Sequence, residues 1–236
     1  AVSLFSKIPT RRLQPDKITY ISTISACGRS SAVSAAFTLL NGMQPNRVPR
    51  DILTYGALIF ACERARSWAY ALRLLHTMTL DAVSPDEFAF NSAATACGSA
   101  HVWEGALSVL RGMELSSVPS DHTYFETMTA LVLKGRHATA VQVFRQWEAS
   151  AGARYRMSDT LFDLHRMPVE VSVIAVRAAV LDTMVALEAE GIQERRVVFI
   201  TGRGAHSQNG ALLRPAVLSL LRNELRMEAQ PVEGNE

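Results

Sequence analysis

The stretch that decides the fold is Asp51–Pro85, "DILTYGALIFACERARSWAYALRLLHTMTLDAVSP". Tyr55, Leu58, Ile59 and Cys62 are spaced i, i+3, i+4, i+7, which puts them on one face of a helix. "ERARS" interrupts the pattern with polar residues. Ala71, Leu72, Leu75 and Met78 then resume it on a second helix, which the following proline stops. The stretch reads as a helical hairpin with one apolar face on each arm.

The hairpin recurs on both sides of this stretch. Cys27, Cys62 and Cys97 are 35 residues apart, as are Met43, Met78 and Met113. The cysteines sit in ACG, ACE and ACG, and "ITY", "LTY" and "FAF" precede them, ending at Tyr20, Tyr55 and Phe90. A further copy, "HTY", ends at Tyr124 after a 34-residue step, and Pro15, Pro49, Pro85 and Pro119 mark the junctions. Self-similarity at such a period is the signature of a solenoid, in which each unit buries its apolar face only against its neighbours. The units fall at 16–50, 51–85, 86–119 and 120–150. "AVSLFSKIPTRRLQPD" (Ala1–Asp16) aligns with the second arm of such a unit, Ala1 standing where Ala71 and Ala106 stand. Residues 1–15 are therefore expected to be half a unit, with its first helix, and any presequence, upstream.

Composition narrows the class. The 236 residues are 48% hydrophobic and 19% charged, with a net charge of +2. No apolar run approaches the ~20 residues that span a bilayer, so no membrane partner is expected. Lysine occurs only at Lys7, Lys17 and Lys134 and the other basic residues are arginine, which suits bidentate phosphate contact and also follows from genome composition. Three cysteines on equivalent buried helix faces are too far apart to share a zinc ion, because packed helices lie ~8–10 Å apart. They read as core residues, and no metal or cofactor is expected.

The combination of a 35-residue helical hairpin, T-Y at its start, A-L…L-L…M in its second arm and P-D at its end resembles the pentatricopeptide repeat (PPR) family. The resemblance covers residues 1 to about 150 and implies an all-α solenoid that binds single-stranded RNA. It also implies that bases are read by the residue after the aromatic and the last residue of each unit. The first positions are Ile21, Gly56, Asn91 and Phe125, and the last are Asp51, Asp86 and Ser120. Ile, Gly and Phe side chains offer no donor or acceptor to a base edge, which leaves Asn91 with Ser120 as the base-reading pair. Such an array does not select a long sequence. It can hold RNA by backbone and shape, or present its surface to protein.

The period vanishes at 151–159, a polar linker, and 160–236 has another character. "LFDLHRM" (Leu161–Met167) looks like a strand entering a loop, and Val171, Ile174, Ala178, Leu181 and Val185 mark one face of a long helix that ends at Gly191. "RVVFITGRGAHSQNG" reads as a strand and a glycine-rich loop, and "LLRPAVLSLLRNEL" as a second helix, so a small α/β layer with parallel strands is expected. "FDLH" followed by "TGRG", "HS" and the L-R-P-A-V helix resembles the small MutS-related (SMR) domain, some of whose members are RNA or DNA endonucleases. The resemblance implies catalytic roles for Asp163 and His165, and phosphate or RNA binding by Thr201, Gly202, Arg203, Gly204, His206 and Ser207. Residues i and i+2 of a strand share a face, so a carboxylate would stand beside an imidazole, a pairing suited to general acid–base cleavage without a metal. The glycines would let backbone N–H groups approach a phosphate. Phosphate binding alone, or a domain kept for its shape, remains open on the same residues. Phe162 stands where the family has Leu, and the chain stops at "EAQPVEGNE" where members continue into a last strand.

Together the two resemblances imply an organellar PPR–SMR protein of the mitochondrion or plastid. The first reading is a mainly non-catalytic RNA-binding role, attached to the ribosome or its assembling RNA, with ribosomal proteins as further partners. The alternatives are an SMR-type RNA endonuclease and a protein-only scaffold. His76, His101, His122 and His137 read as ordinary surface residues.

Overall fold

The computed structural model describes residues 1–8, 14–151, 155–164, 167–191, 196–201 and 212–231. They form two compact units, Ala1–Lys134 and Gly135–Glu236.

The first unit is a stack of hairpins preceded by the short helix α1 (Val2–Phe5). The first arms are α2 (Lys17–Arg29), α4 (Ile52–Arg64), α6 (Glu87–Ser99) and α8 (Asp121–Leu133), each 13 residues long. The second arms are α3 (Val33–Met43), α5 (Trp68–Leu80) and α7 (Trp103–Leu115). Each first arm begins at a side-chain cap: Asp16, Asp51, Asp86 and Ser120 accept from the backbone N–H three residues on. A cap of this kind satisfies a helix-end donor and stabilises by ~1 kcal/mol. First arms pack on first arms, α2 on α4, α4 on α6 and α6 on α8, and each second arm lies against its own first arm.

The core is built from the recurring residues. Cys27, Cys62 and Cys97 are at most 1% exposed, and Tyr20, Tyr55, Phe90, Met43, Met78 and Met113 are buried beside them. On α5 the face is rotated slightly from the sequence reading, so that Leu74 is fully buried while Leu72 and Leu75 are half-buried. The hairpin turns repeat as faithfully as the helices. Ser31, Arg66 and His101 close the inner turns and Arg47, Ala82 and Ser117 the outer ones, all at φ between 51° and 57°. The tyrosine hydroxyls tie the arms: Tyr20 donates to the Gly42 carbonyl at 3.1 Å, Tyr55 to Asp81 Oδ2 at 2.5 Å and Tyr124 to Glu114 Oε1 at 2.8 Å. Gly28 sits where α2 meets α4, and a Cβ there would stand 2.8 Å from Ala61 Cβ.

The second unit contains α9 (His137–Ala151), β1 (Leu161–Asp163), α10 (Val169–Glu190), β2 (Val198–Ile200) and α11 (Leu213–Ser219), which runs into one π-helical turn at Leu220–Glu224. β1 and β2 pair in parallel, with Leu161 opposite Val198 and Asp163 opposite Ile200. The unit boundary falls within the expected 120–150 repeat, with α8 in the first unit and α9 in the second. Within the second unit α9 joins a run of aromatic contacts. Phe144 of α9 lies 5.3 Å from Tyr155, Tyr155 stacks on Phe162 of β1 at 5.9 Å, and Phe162 stacks on Phe199 of β2 at 5.5 Å. Tyr155, in the segment expected to be a polar linker, is 3% exposed. Asp182 of α10 pairs with both Arg145 and Arg156 at 3.0 Å. Along α10 the apolar face is buried only in its first half: Val171, Ile174 and Ala178 are covered, but Leu181 and Val185 are 47% and 65% exposed. The helix ends as read, at Gly191 with φ 66°. No helix among the described residues is long and apolar enough to cross a membrane.

Two substitutions test this packing. Gly28→Ala forces a methyl against the Ala61 backbone and side chain, and overpacking of this kind lowers unfolding stability by ~1–3 kcal/mol. Phe162→Ala opens the aromatic run, at a cost of ~3–5 kcal/mol by the usual range for a buried aromatic. Urea unfolding monitored by circular dichroism, which reads helix in both units, measures each loss.

Candidate nucleic-acid interface

The first arms carry the residues that sequence reasoning marked for base contact, one per unit and one helical turn inside the capped end. Asn91 and Ser120 are brought together: Ser120 Oγ donates to Asn91 Oδ1 at 2.5 Å, and Thr123 Oγ1 donates to the same oxygen at 2.9 Å. With its oxygen doubly engaged, the Asn91 amide has its Nδ2 hydrogens to offer, and among the described residues these meet only Glu87 Oε1 at 3.5 Å. At the other positions the side chains have no such chemistry. Ile21 and Phe125 are half-buried. Gly56 is covered, since a Cβ there would stand 3.5 Å from the ring of Phe88.

The last-position residues do another job, which sequence reasoning missed. Asp51 accepts from Thr54 N at 3.0 Å and Thr54 Oγ1 at 2.9 Å, and its other oxygen pairs with Lys17. Asp86 accepts from Ala89 N at 2.9 Å. The signal was present in sequence as Asp16-x-x-Thr19 and Asp51-x-x-Thr54, a short polar residue immediately before an apolar periodic run.

Exposed apolar side chains line the same end of the first arms. Ile18, Leu53 and Phe88, each two residues after a cap and 35 apart, are 72%, 63% and 50% exposed, and Phe60 lies 6.3 Å from the Phe88 ring. The equivalent residue of α8 is His122. It is exposed, and its Nε2 lies 2.8 Å from Thr95 Oγ1 on α6 and 3.8 Å from Glu126 Oε1.

In the second unit, Asp163 ends β1 and Thr201 directly follows β2, so the parallel pairing puts both at the C-terminal edge of the two strands. That edge is where open α/β sheets form ligand sites. His165, Gly202, Arg203, Gly204, His206 and Ser207 lie outside the described residues. Among the described residues no cluster of His, Cys, Asp or Glu could hold a metal ion. The cysteines are free and buried, and burial pushes the Cys62 and Cys97 thiols up to about 12, so neither is a thiolate at neutral pH.

No protein-family model matches the sequence, and no curated protein is similar to it. Solved structures are similar in fold. The pentatricopeptide repeat protein PPR10 from maize superposes with a TM-score of 0.58 at 21% identity, over 94% of this chain and 31% of its own. Nuclear proteinaceous RNase P 2 from Arabidopsis thaliana gives 0.60 at 15% identity, over 92% of this chain and 44% of its own. The fold is of the pentatricopeptide-repeat type. The PPR domain of protein-only RNase P 1 from A. thaliana, solved with tRNA, gives 0.51 at 17% identity over 74% of this chain and 90% of its own. The chain spans less than half the length of the maize protein and of RNase P 2.

The carboxylates at the junctions should make the helical array sensitive to acid. Hydrogen bonding from Tyr55, then the Arg50 guanidinium, holds Asp81 below the ordinary value of 3.8. At Asp51 burial acts upward, but Lys17 and Thr54 outweigh it and the carboxyl again lies below 3.8. A group whose pKa is lower folded than unfolded stabilises the fold above its unfolded pKa and loses that contribution as pH falls through the folded value. The melting temperature should hold above about pH 5 and fall steeply below about pH 4, near the ordinary carboxylate pKa. In Asp81→Asn the melting temperature at pH 7 should be lower and its fall below pH 4 shallower, measured by thermal melts across pH.

Proposed function

We propose that this chain is an organellar RNA-binding protein of the PPR–SMR kind, acting in the mitochondrion or plastid in a mainly non-catalytic role, attached to the ribosome or to its assembling RNA. The observation that carries this reading is the contrast along the first arms. Asn91 and Ser120, the two residues read for base contact, hydrogen-bond each other, Ile21 and Gly56 have no polar side-chain group to offer, and Ile18, Leu53 and Phe88 stand exposed at equal steps. An exposed aromatic such as Phe88 stacks on any base, because every base has a π-face, and the aliphatic Ile18 and Leu53 can pack against a base face without reading it. A protein built this way grips single strands with little sequence preference, which suits docking on a large structured RNA better than finding one transcript. PPR10, the maize protein, has been solved in complex with an 18-nt psaJ RNA element, with a TM-score of 0.52 and 16% identity to this chain.

Two measurements test the reading. Single-stranded RNA of mixed sequence should bind at physiological salt with scrambled controls within about tenfold, because one neutral hydrogen-bonding position contributes only ~0.5–1.5 kcal/mol. Asn91→Val should flatten even that difference. A single sequence bound hundreds of times more tightly than scrambled RNA would sink the proposal. In sucrose gradients of lysed organelles the tagged protein should travel with a ribosomal subunit at roughly 0.5 M salt, where simple phosphate pairing is weakened.

The placement of Asp163 beside Thr201 favours a second reading, an RNA endonuclease with the repeats as tether. Asp163→Ala and His165→Ala would then abolish cleavage and leave RNA affinity unchanged. Cleavage at the parent rate by both variants rules this reading out.

A further inference from the structure

Outside the reading face, a recess of about 400 Å3 opens where the first full hairpin joins the second. It is lined by Gln44, Arg47, Val48, Pro49, Arg50 and Asp81. The backbone here is that of the two junctions that follow. Arg47 takes φ 57°, and Ala82 and Ser117, one and two steps along, take 54° and 53°. The side chains are not. The residue before the cap is Pro15, Pro85 and Pro119 at the other junctions, but Arg50 at this one, its proline displaced to Pro49. The fold therefore has no need of arginine at either position.

The charges do not cancel. Arg50 donates from Nη1 to Asp81 Oδ2 at 3.1 Å, and the same carboxylate oxygen accepts from Tyr55. Arg50 Nε is buried and has no hydrogen-bond acceptor among the described residues. Arg47 is exposed and makes no ion pair among the described residues. The recess thus holds two arginines and a neutral amide, Gln44, against one carboxylate that is already shared. In the preceding hairpin, Asn46 fills the role of Asp81 by bonding the hydroxyl of Tyr20 at 2.8 Å, so a neutral partner serves the tyrosine equally well.

We infer that this junction is an anion site for a phosphodiester group, with Arg47 and Arg50 as its cationic ligands. Guanidinium forks match the oxygens of phosphate in geometry and charge. The recess lies at the capped end of α4, the arm that carries exposed Leu53 and covered Gly56. A strand whose bases stack along that end would bring its backbone to this rim. The assignment rests on the RNA-binding reading for the source of the phosphate. The site would anchor the strand where the array cannot read a base.

The test uses the full chain and a fluorescent single-stranded RNA, with anisotropy read across a salt series. Arg47→Ala should weaken binding several-fold at 0.15 M salt and reduce the slope of log K against log salt by about 0.7, the value for one lost phosphate contact on a single strand. Arg50→Pro combined with Asp81→Asn places here the residue types of Pro15 and Asn46, one step earlier, and leaves Pro49 unchanged; a thermal melt should show it folded, and it should weaken binding similarly. Arg111→Ala, an exposed arginine of α7, should bind as the parent does. If the parent binds RNA and Arg47→Ala binds it equally with an unchanged slope, the anion site is refuted and the RNA reading stands. If the parent binds no RNA, the RNA reading fails, and pyrophosphate decides the site: it should raise the melting temperature of the parent and not of Arg47→Ala. Equal shifts in both proteins, no shift in either, or a shift reproduced by polyglutamate would overturn the inference.

Discussion

Each first arm of the array starts from one side-chain oxygen. Asp16, Asp51, Asp86 and Ser120 accept the backbone N–H three residues on, and that bond sets the helical phase of everything after it. Four residues past the cap comes the buried aromatic ring, seven further the buried cysteine or, in α8, Leu131. A shift of one residue would turn these side chains by about 100° and expose the face that the neighbouring arm covers. The junction chemistry serves the same end. Lys17 pairs with the cap of the next arm, Asp51, so that the charge on the cap is used between units as well as within one.

On the RNA-binding reading, the cap also limits what the array can recognise. An oxygen already accepting one or two hydrogen bonds and a lysine has little left for a base edge, which is the situation of Asp51. Ser120 escapes because a hydroxyl donates as well as accepts: it caps α8 and still donates to Asn91. Asn91 in turn is held by two hydroxyls on one atom, which fixes the direction of its amide. The position with the most rigid polar group is therefore the one whose cap is a hydroxyl and whose partner is an amide.

The periodic part of the fold was legible because it repeats. A buried face that recurs every 35 residues is visible without knowing what it packs against, and Cys27, Cys62 and Cys97 mark it. The boundary of the second unit was not legible, for the opposite reason. Tyr155 sits in a polar stretch, and nothing local announces that its ring joins Phe144 to Phe162. Burial there is decided by residues distant in sequence, and periodicity carries no information about them. The same holds for α10, where a continuous apolar stripe was read and only its first half found a partner. At the candidate interface, the resemblance pointed to Asn91 and Ser120, which do hydrogen-bond, while the covering of Gly56 by Phe88 required the next helix in place.

One hydrogen-bonding position sets an upper bound on sequence information. A single neutral contact is worth ~0.5–1.5 kcal/mol, or roughly a tenfold preference, whereas choosing one RNA site among many needs several such positions. On the RNA-binding reading, the affinity then has to come from interactions that do not distinguish bases: stacking on Ile18, Leu53 and Phe88, and charge at the junctions. Both grow with the number of nucleotides held and neither depends on their order. Selectivity must then arise from the shape of the RNA or from the second unit. In that unit the C-terminal edge of the strands, with Asp163 and Thr201, is the place where a second, independent contact would be made.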